Sequence, residues 1–221
     1  DVWTGTSDDD YYDGADGADS INGAAGNDVL FGGNGNDILK GAEGSDRLYG
    51  GAGDDVLGVW GDGLEWNGCT VVDGVRMGNC YDGGPGDDTM YASRYADTYI
   101  YRRGDGRDRI NEEGTPTDVD TLDLQGDILP SDVILVRTGN DLVLNLVGTS
   151  DSVVQVGYFA DLPGTYQVEK IKFANGAVWG QADVYARFAT CGTMRDDVLT
   201  ALPNLADRLY GLEGNDVLTG S

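Results

Sequence analysis

Residues 5 to 58 divide into six consecutive blocks of nine: GTSDDDYYD, GADGADSIN, GAAGNDVLF, GGNGNDILK, GAEGSDRLY and GGAGDDVLG. Every block opens with Gly, carries Asp as its sixth residue and an apolar side chain as its eighth. The Asp series is Asp10, Asp19, Asp28, Asp37, Asp46 and Asp55, and the apolar series is Tyr12, Ile21, Leu30, Leu39, Leu48 and Leu57. A short period held without a slip predicts a solenoid, in which each unit buries its apolar residue only by stacking on its neighbours.

The first six residues of a block turn the chain and the last three form a short strand. Side chains alternate faces along a strand, so the eighth residue points inward. The glycines permit positive φ and close backbone approach in a tight loop. Two blocks make one coil, so blocks n and n+2 stack. Asp10, Asp28 and Asp46 then form one column, and Asp19, Asp37 and Asp55 the other.

Stacked strands place successive carboxylates of a column about 5 Å apart. At an effective dielectric of 20, each neighbouring pair repels by roughly 3 kcal/mol. The opposing core is one side chain per block, contributing about 1.5–3 kcal/mol before chain entropy. The stretch is therefore expected to need counter-ions, and a flexible all-oxygen environment suits calcium better than magnesium.

The pattern is the nonapeptide G-G-x-G-x-D-x-U-x, and the stretch resembles the RTX (repeats-in-toxin) family of secreted bacterial proteins. The resemblance implies an all-β fold: a right-handed parallel β-roll, capped by an antiparallel β domain with one short helix. It also implies several calcium ions, each between loops n and n+2, held by two Asp side chains and by carbonyls of the first four loop positions. In this sequence the aspartates are Asp10, Asp19, Asp28, Asp37, Asp46, Asp55, Asp88, Asp97, Asp108 and Asp216. The carbonyl donors are Gly23, Ala25, Gly26, Gly32, Gly33, Asn34, Gly35, Gly41, Glu43, Gly44, Gly50, Gly51, Ala52, Gly53, Gly83, Gly84 and Gly86.

After Leu57 the phase breaks, and residues 59–82 (VWGDGLEWNGCTVVDGVRMGNCYD) read as a protruding insertion containing Trp60 and Trp66. Repeats resume as GGPGDDTMY at 83–91, ASRYADTYI at 92–100 and RGDGRDRIN at 103–111. From 112 the signals are those of antiparallel strands. A hairpin is expected around Thr138–Asp141, another at Asn175-Gly176, and a helix over 181–190. This section resembles the calcium-binding-related domain that follows many RTX arrays, through Thr98-Tyr99, Gly104–Asp108, Asn140–Leu144 and 168–179. Residues 191–221 start a second array, with Asp207 and Asp216 nine apart and Leu209 and Leu218 inward. The expected division is a roll at 1–111, a cap at 112–190 and a second array at 191–221. Asp216 is expected to bind weakly unless a neighbouring chain completes its site.

The formal net charge is −25 with no His. Residues 1–58 alone hold thirteen acidic side chains against Lys40 and Arg47. No basic patch exists to meet phosphates, so nucleic acid is not an expected partner. Lacking His, the chain carries neither an H-E-x-x-H zinc site nor a Ser-His-Asp triad, and G-x-S-x-G is also missing. No apolar run reaches membrane-spanning length, so direct membrane insertion is not expected. A non-enzymatic module is expected: calcium-binding, folding with calcium, and part of a larger secreted protein exported by type I secretion, with the parent's other domains as partners. The setting is extracellular or the bacterial cell surface. The alternative is a recognition module, such as an adhesin segment, binding glycan or protein through 59–82 or the cap. Cys69 and Cys80 either pair, as an oxidising setting allows, or remain thiols; Cys191 is left over.

Overall fold

The computed structural model describes residues 1–58, 71–72, 75–112, 119–160, 167–187, 189–191, 196, 198–200, 208–210 and 214–219. The repeats form short strands that alternate between two sheets. These are β1 (Val2–Thr4), β2 (Tyr11–Asp13), β3 (Ser20–Ala25), β4 (Val29–Asn34), β5 (Ile38–Glu43), β6 (Arg47–Ala52) and β7 (Val56–Leu57). Odd-numbered strands pair in parallel in one sheet and even-numbered strands in the other. The register is a constant 18 residues, as in Leu30↔Leu48 and Ile21↔Leu39. Eighteen residues per coil is two nonapeptides, and the fold is the expected β-roll. Ile21, Leu30, Leu39, Leu48 and Leu57 are all at most 1% exposed, so the eighth position does fill the space between the sheets.

The strands continue with β8 (Val71–Val72), β9 (Val75–Asp82), β10 (Thr89–Tyr91), β11 (Ala96–Tyr101) and β12 (Arg107–Asn111). β9 departs from the expectation that 59–82 is wholly an insertion. It lies between β6 and β11 in the second sheet, with Leu48↔Tyr81 and Tyr99↔Tyr81 in register. β9 thus belongs to a disguised repeat, which in the sequence reads GVRMGNCYD at 74–82, with Asn79 sixth and Tyr81 eighth. Tyr81 and Tyr99 are fully buried and stack at 5.3 Å, widening the core below the leucine layers.

Beyond β12 come β13 (Thr121–Leu124), β14 (Val133–Thr138), β15 (Asp141–Leu146), β16 (Ser152–Val156), β17 (Lys170–Phe173), β18 (Val178–Gly180) and the helix α1 (Gln181–Tyr185). The expected hairpins are present. β14 and β15 pair antiparallel about Gly139-Asn140, and β17 and β18 about the turn that holds Gly176 at φ +83°. The helix is shorter than expected. The cap is also not wholly antiparallel: β13 and β17 extend the second sheet in parallel behind β11, and β16 extends the first behind β12. The roll and the segment after 112 therefore share both sheets.

The last strands are β19 (Ala189–Cys191), β20 (Val198–Thr200), β21 (Arg208–Tyr210) and β22 (Val217–Thr219). β19 and β21 join the first sheet at β14, while β20 and β22 form a separate parallel pair. Leu218, expected inward, is 47% exposed. Of the two alternatives for Cys80, the structure has the free thiol, which burial pushes up; Cys69 lies outside the described residues.

Candidate metal centres

Each loop presents its aspartate to the coil that precedes it in the stack. Oδ1 of Asp28 accepts the N–H of Asp10 at 2.8 Å, and Oδ1 of Asp46 accepts that of Asp28 at 2.8 Å. On the other edge Asp37, Asp55 and Asp88 accept from Asp19, Asp37 and Asp55 at 2.8, 2.8 and 2.7 Å. Asp108 ends this series, accepting from Asp88 at 3.2 Å. The two expected columns are therefore real, and every rung joins the sixth positions of stacked blocks.

The first column runs further than the sequence suggested. Asn79 accepts from Asp46 at 2.9 Å and donates to Asp97 at 2.6 Å. Asp97 donates in turn to Asp120 at 2.7 Å, and Asp120 to Glu169 at 2.8 Å. Asn79, Asp120 and Glu169 were not legible as site residues. The first is an amide in a block that lacks its fourth glycine, and the other two lie in loops without repeat spacing.

The second carboxylate oxygen behaves differently from the first. Oδ2 of Asp19, Asp28, Asp37, Asp55, Asp88 and Asp108 is buried and accepts no hydrogen bond. Burial disfavours the charged form. It pushes Asp28 and Asp37 up, Asp55 to about 6, Asp88 to about 7 and Asp108 to about 9, with neighbouring aspartates adding to the effect.

Except at Asp108, whose block opens with Arg103, each Oδ2 faces the glycine that opens its own block. A Cβ on Gly32 would stand 2.3 Å from Asp37 Oδ2 and 2.5 Å from the carbonyl oxygen of Gly50. On Gly50 it would meet Asp55 Oδ2 at 2.4 Å and the Gly83 carbonyl at 2.6 Å. Gly23 is similar, against Asp28 Oδ2 and the Gly41 carbonyl, while Gly41 and Gly83 face the Oδ2 of Asp46 and Asp88. First-position glycines thus keep open the space beside an orphaned carboxylate oxygen and a carbonyl.

At position 2, Gly33, Gly51 and Gly84 adopt positive φ. At position 4, Gly26, Gly35, Gly44 and Gly53 do so between +123° and +140°. A side chain on Gly33 or Gly51 would meet a carbonyl of the stacked coil at about 2 Å: that of Ala15 (1.9 Å) or of Gly33 (2.0 Å). The carbonyls of Asn34, Glu43 and Ala52, at position 3, accept the N–H of Gly17, Gly26 and Gly35. Ala25, also at position 3, donates its N–H to Thr6. Gly86, at position 4, donates to the Asp105 carbonyl.

A second ladder, at position 5, was not anticipated. Asn27 and Ser45 donate backbone N–H to the side chains of Asp9 and Asn27. Asp54, Asp87 and Arg107 donate likewise to Asn36, Asp54 and Asp87. These bonds run in the direction opposite to the sixth-position rungs, so stacked loops are tied reciprocally.

The donors are buried carboxylate and carbonyl oxygens only, with neither sulfur nor imidazole, which suits a hard cation of flexible coordination. Residues 4–39, 31–58, 82–98 and 204–221 match the family model of the RTX calcium-binding nonapeptide repeat. The chain carries RTX calcium-binding repeats. Residues 141–183 match the haemolysin-type calcium binding protein related domain. No curated protein matches the chain. Neither family model covers 59–81, although β9 within that stretch is part of the roll. The repeats make this a calcium-binding module, and the residues present fit the ion: each orphaned Oδ2 lacks the partner that a bound cation supplies. Among the described residues no helix is long and apolar enough to cross a membrane. Asp216 lies immediately before β22, beside Asn215, whose N–H donates to Asp196 Oδ1 at 2.9 Å.

Proposed function

We propose that this chain is a calcium-dependent folding module of a larger secreted protein. The observation that carries the reading is the set of six buried carboxylate oxygens without hydrogen-bond partners. Uncompensated, they oppose the roll; with calcium between stacked loops, the energy of binding becomes energy of folding. The ligands are the orphaned Oδ2 atoms of the columns, with Asp46 in line with them, and carbonyls of the first four loop positions. Calcium supplies the positive charge that lets these oxygens pack together. Extracellular modules bind calcium at about 10⁻⁴–10⁻³ M, so the chain is unfolded where calcium is scarce and folds after export. Type I secretion, taken from the family, fits a chain that must cross while unfolded.

The module acts by binding and not by catalysis. The glycan- or protein-binding reading rested chiefly on Trp60 and Trp66, which lie outside the described residues, and no described feature favours it. Far-UV circular dichroism of the full chain against calcium tests the proposal. The β signal is expected to appear cooperatively with calcium and to vanish in chelator, and Asp37→Asn is expected to move the midpoint to higher calcium. A complete β signal in excess chelator sinks the proposal.

A further inference from the structure

Two members of the carboxylate ladder differ from the six with an orphaned Oδ2. Asp10 Oδ2 accepts the N–H of Thr6 at 2.6 Å and its hydroxyl at 3.0 Å, and the N–H of Asp8 donates to the Thr6 hydroxyl at 3.2 Å. In the block at 92–100, Asp97 Oδ2 accepts the N–H of Ser93 at 2.7 Å and Oδ1 accepts the Ser93 hydroxyl at 2.8 Å. The N–H of Tyr95 donates to that hydroxyl at 3.2 Å. The same three-bond latch thus occurs twice, each time with a hydroxyl residue at position 2.

In the loops of Asp19, Asp28, Asp37, Asp55 and Asp88, position 2 is Ala or Gly at positive φ, and Oδ2 is orphaned. A side-chain hydroxyl does two jobs that an ion does elsewhere: it satisfies the carboxylate and fixes the loop. Asp97 also accepts the N–H of Asn79, which brings its donors to three. A carboxylate with three such donors needs no cation to be stable when buried. Just above it, the neutral amide of Asn79 occupies the column and donates to the Tyr81 hydroxyl at 2.9 Å.

We propose that the loops ending at Asp10 and Asp97 are closed by Thr6 and Ser93 in place of calcium. Asp10 and Asp97 are then not calcium ligands, contrary to what repeat spacing alone assigns. The hydroxyl-latched loops bound the ion-binding stack of the first column, and the Ala92–Asp97 turn holds β11 in the roll without metal. This rests on the calcium reading of the remaining loops.

The test is the number of calcium ions bound by the full chain, from equilibrium dialysis and metal analysis. Asp97→Asn is expected to bind as many ions as the unmodified chain, while Asp55→Asn binds at least one fewer. Loss of an ion from folded Asp97→Asn overturns the inference. If that variant does not fold in excess calcium, Ser93→Ala decides. An undiminished ion count together with a calcium midpoint moved to higher calcium supports the latch, and a lowered count overturns it. Retention of every ion by Asp55→Asn would instead count against the calcium reading on which the inference stands.

Discussion

Three alanines occupy backbone conformations that the repeat reserves for glycine. Ala15, Ala24 and Ala42 sit at position 2 with φ of +72°, +79° and +75°, where Gly33 and Gly51 adopt +108° and +107°. A non-glycine residue there costs about 1–2 kcal/mol, and glycine recovers that less about 0.4–1 kcal/mol of unfolded-chain entropy. Ala24→Gly and Ala42→Gly are each expected to stabilise the calcium-bound chain by about 0.5–1 kcal/mol, read as a higher melting temperature at fixed calcium. The aspartate columns were legible because both residue type and spacing repeat. Asn79 was hidden because its block replaces Asp with Asn, the position-4 glycine with Met77 and the usual aliphatic residue with Tyr81. Gly74 and Tyr81, first and eighth of nine, were the remaining signal.

Among the elements, β9 decides how long the interruption of the array is. The rungs Asp46–Asn79 and Asp55–Asp88 both span 33 residues instead of 18, an excess of 15. That excess matches residues 59–73, between one block ending at Gly58 and the next opening at Gly74. Excising 59–73 is expected to leave calcium stoichiometry and the calcium-induced β signal intact, whereas excising 59–82 removes Asn79 and Tyr81 and breaks the second sheet. Metal analysis and circular dichroism of the two deletions distinguish them. Within the leucine layers, Leu48→Ala removes a fully buried side chain and is expected to cost about 2–5 kcal/mol, measured by denaturant unfolding in calcium. The parallel pairing of β13 with β17, 49 residues apart, was not legible because local alternation reveals strands but not distant partners.

For the molecule as a whole, the buried aspartates set opposite pH responses with and without calcium. Burial raises Asp28 and Asp37, and takes Asp55, Asp88 and Asp108 to about 6, 7 and 9. A carboxyl raised in the folded state binds its proton more tightly there than in the unfolded chain. Its contribution is full below the unfolded value near 4 and is lost as pH rises through the folded one. Without calcium the chain is therefore expected to gain structure as pH falls from 9 towards 4. With calcium, protons compete for the same oxygens, so the calcium midpoint is expected to rise over that fall. Circular dichroism at several pH values, with and without chelator, checks both directions.

The constant 18-residue register also determines how the roll answers to force. Inter-strand hydrogen bonds lie along the axis on which coils stack, so a pull from the two ends opens one coil before loading the next. Each coil that comes away releases 18 residues of chain, about 60 Å when extended. Around the interruption the same event releases 33 residues, about 110 Å. Stretched in calcium, a single molecule should lengthen in steps of the first size, punctuated by longer ones where β9 leaves β6.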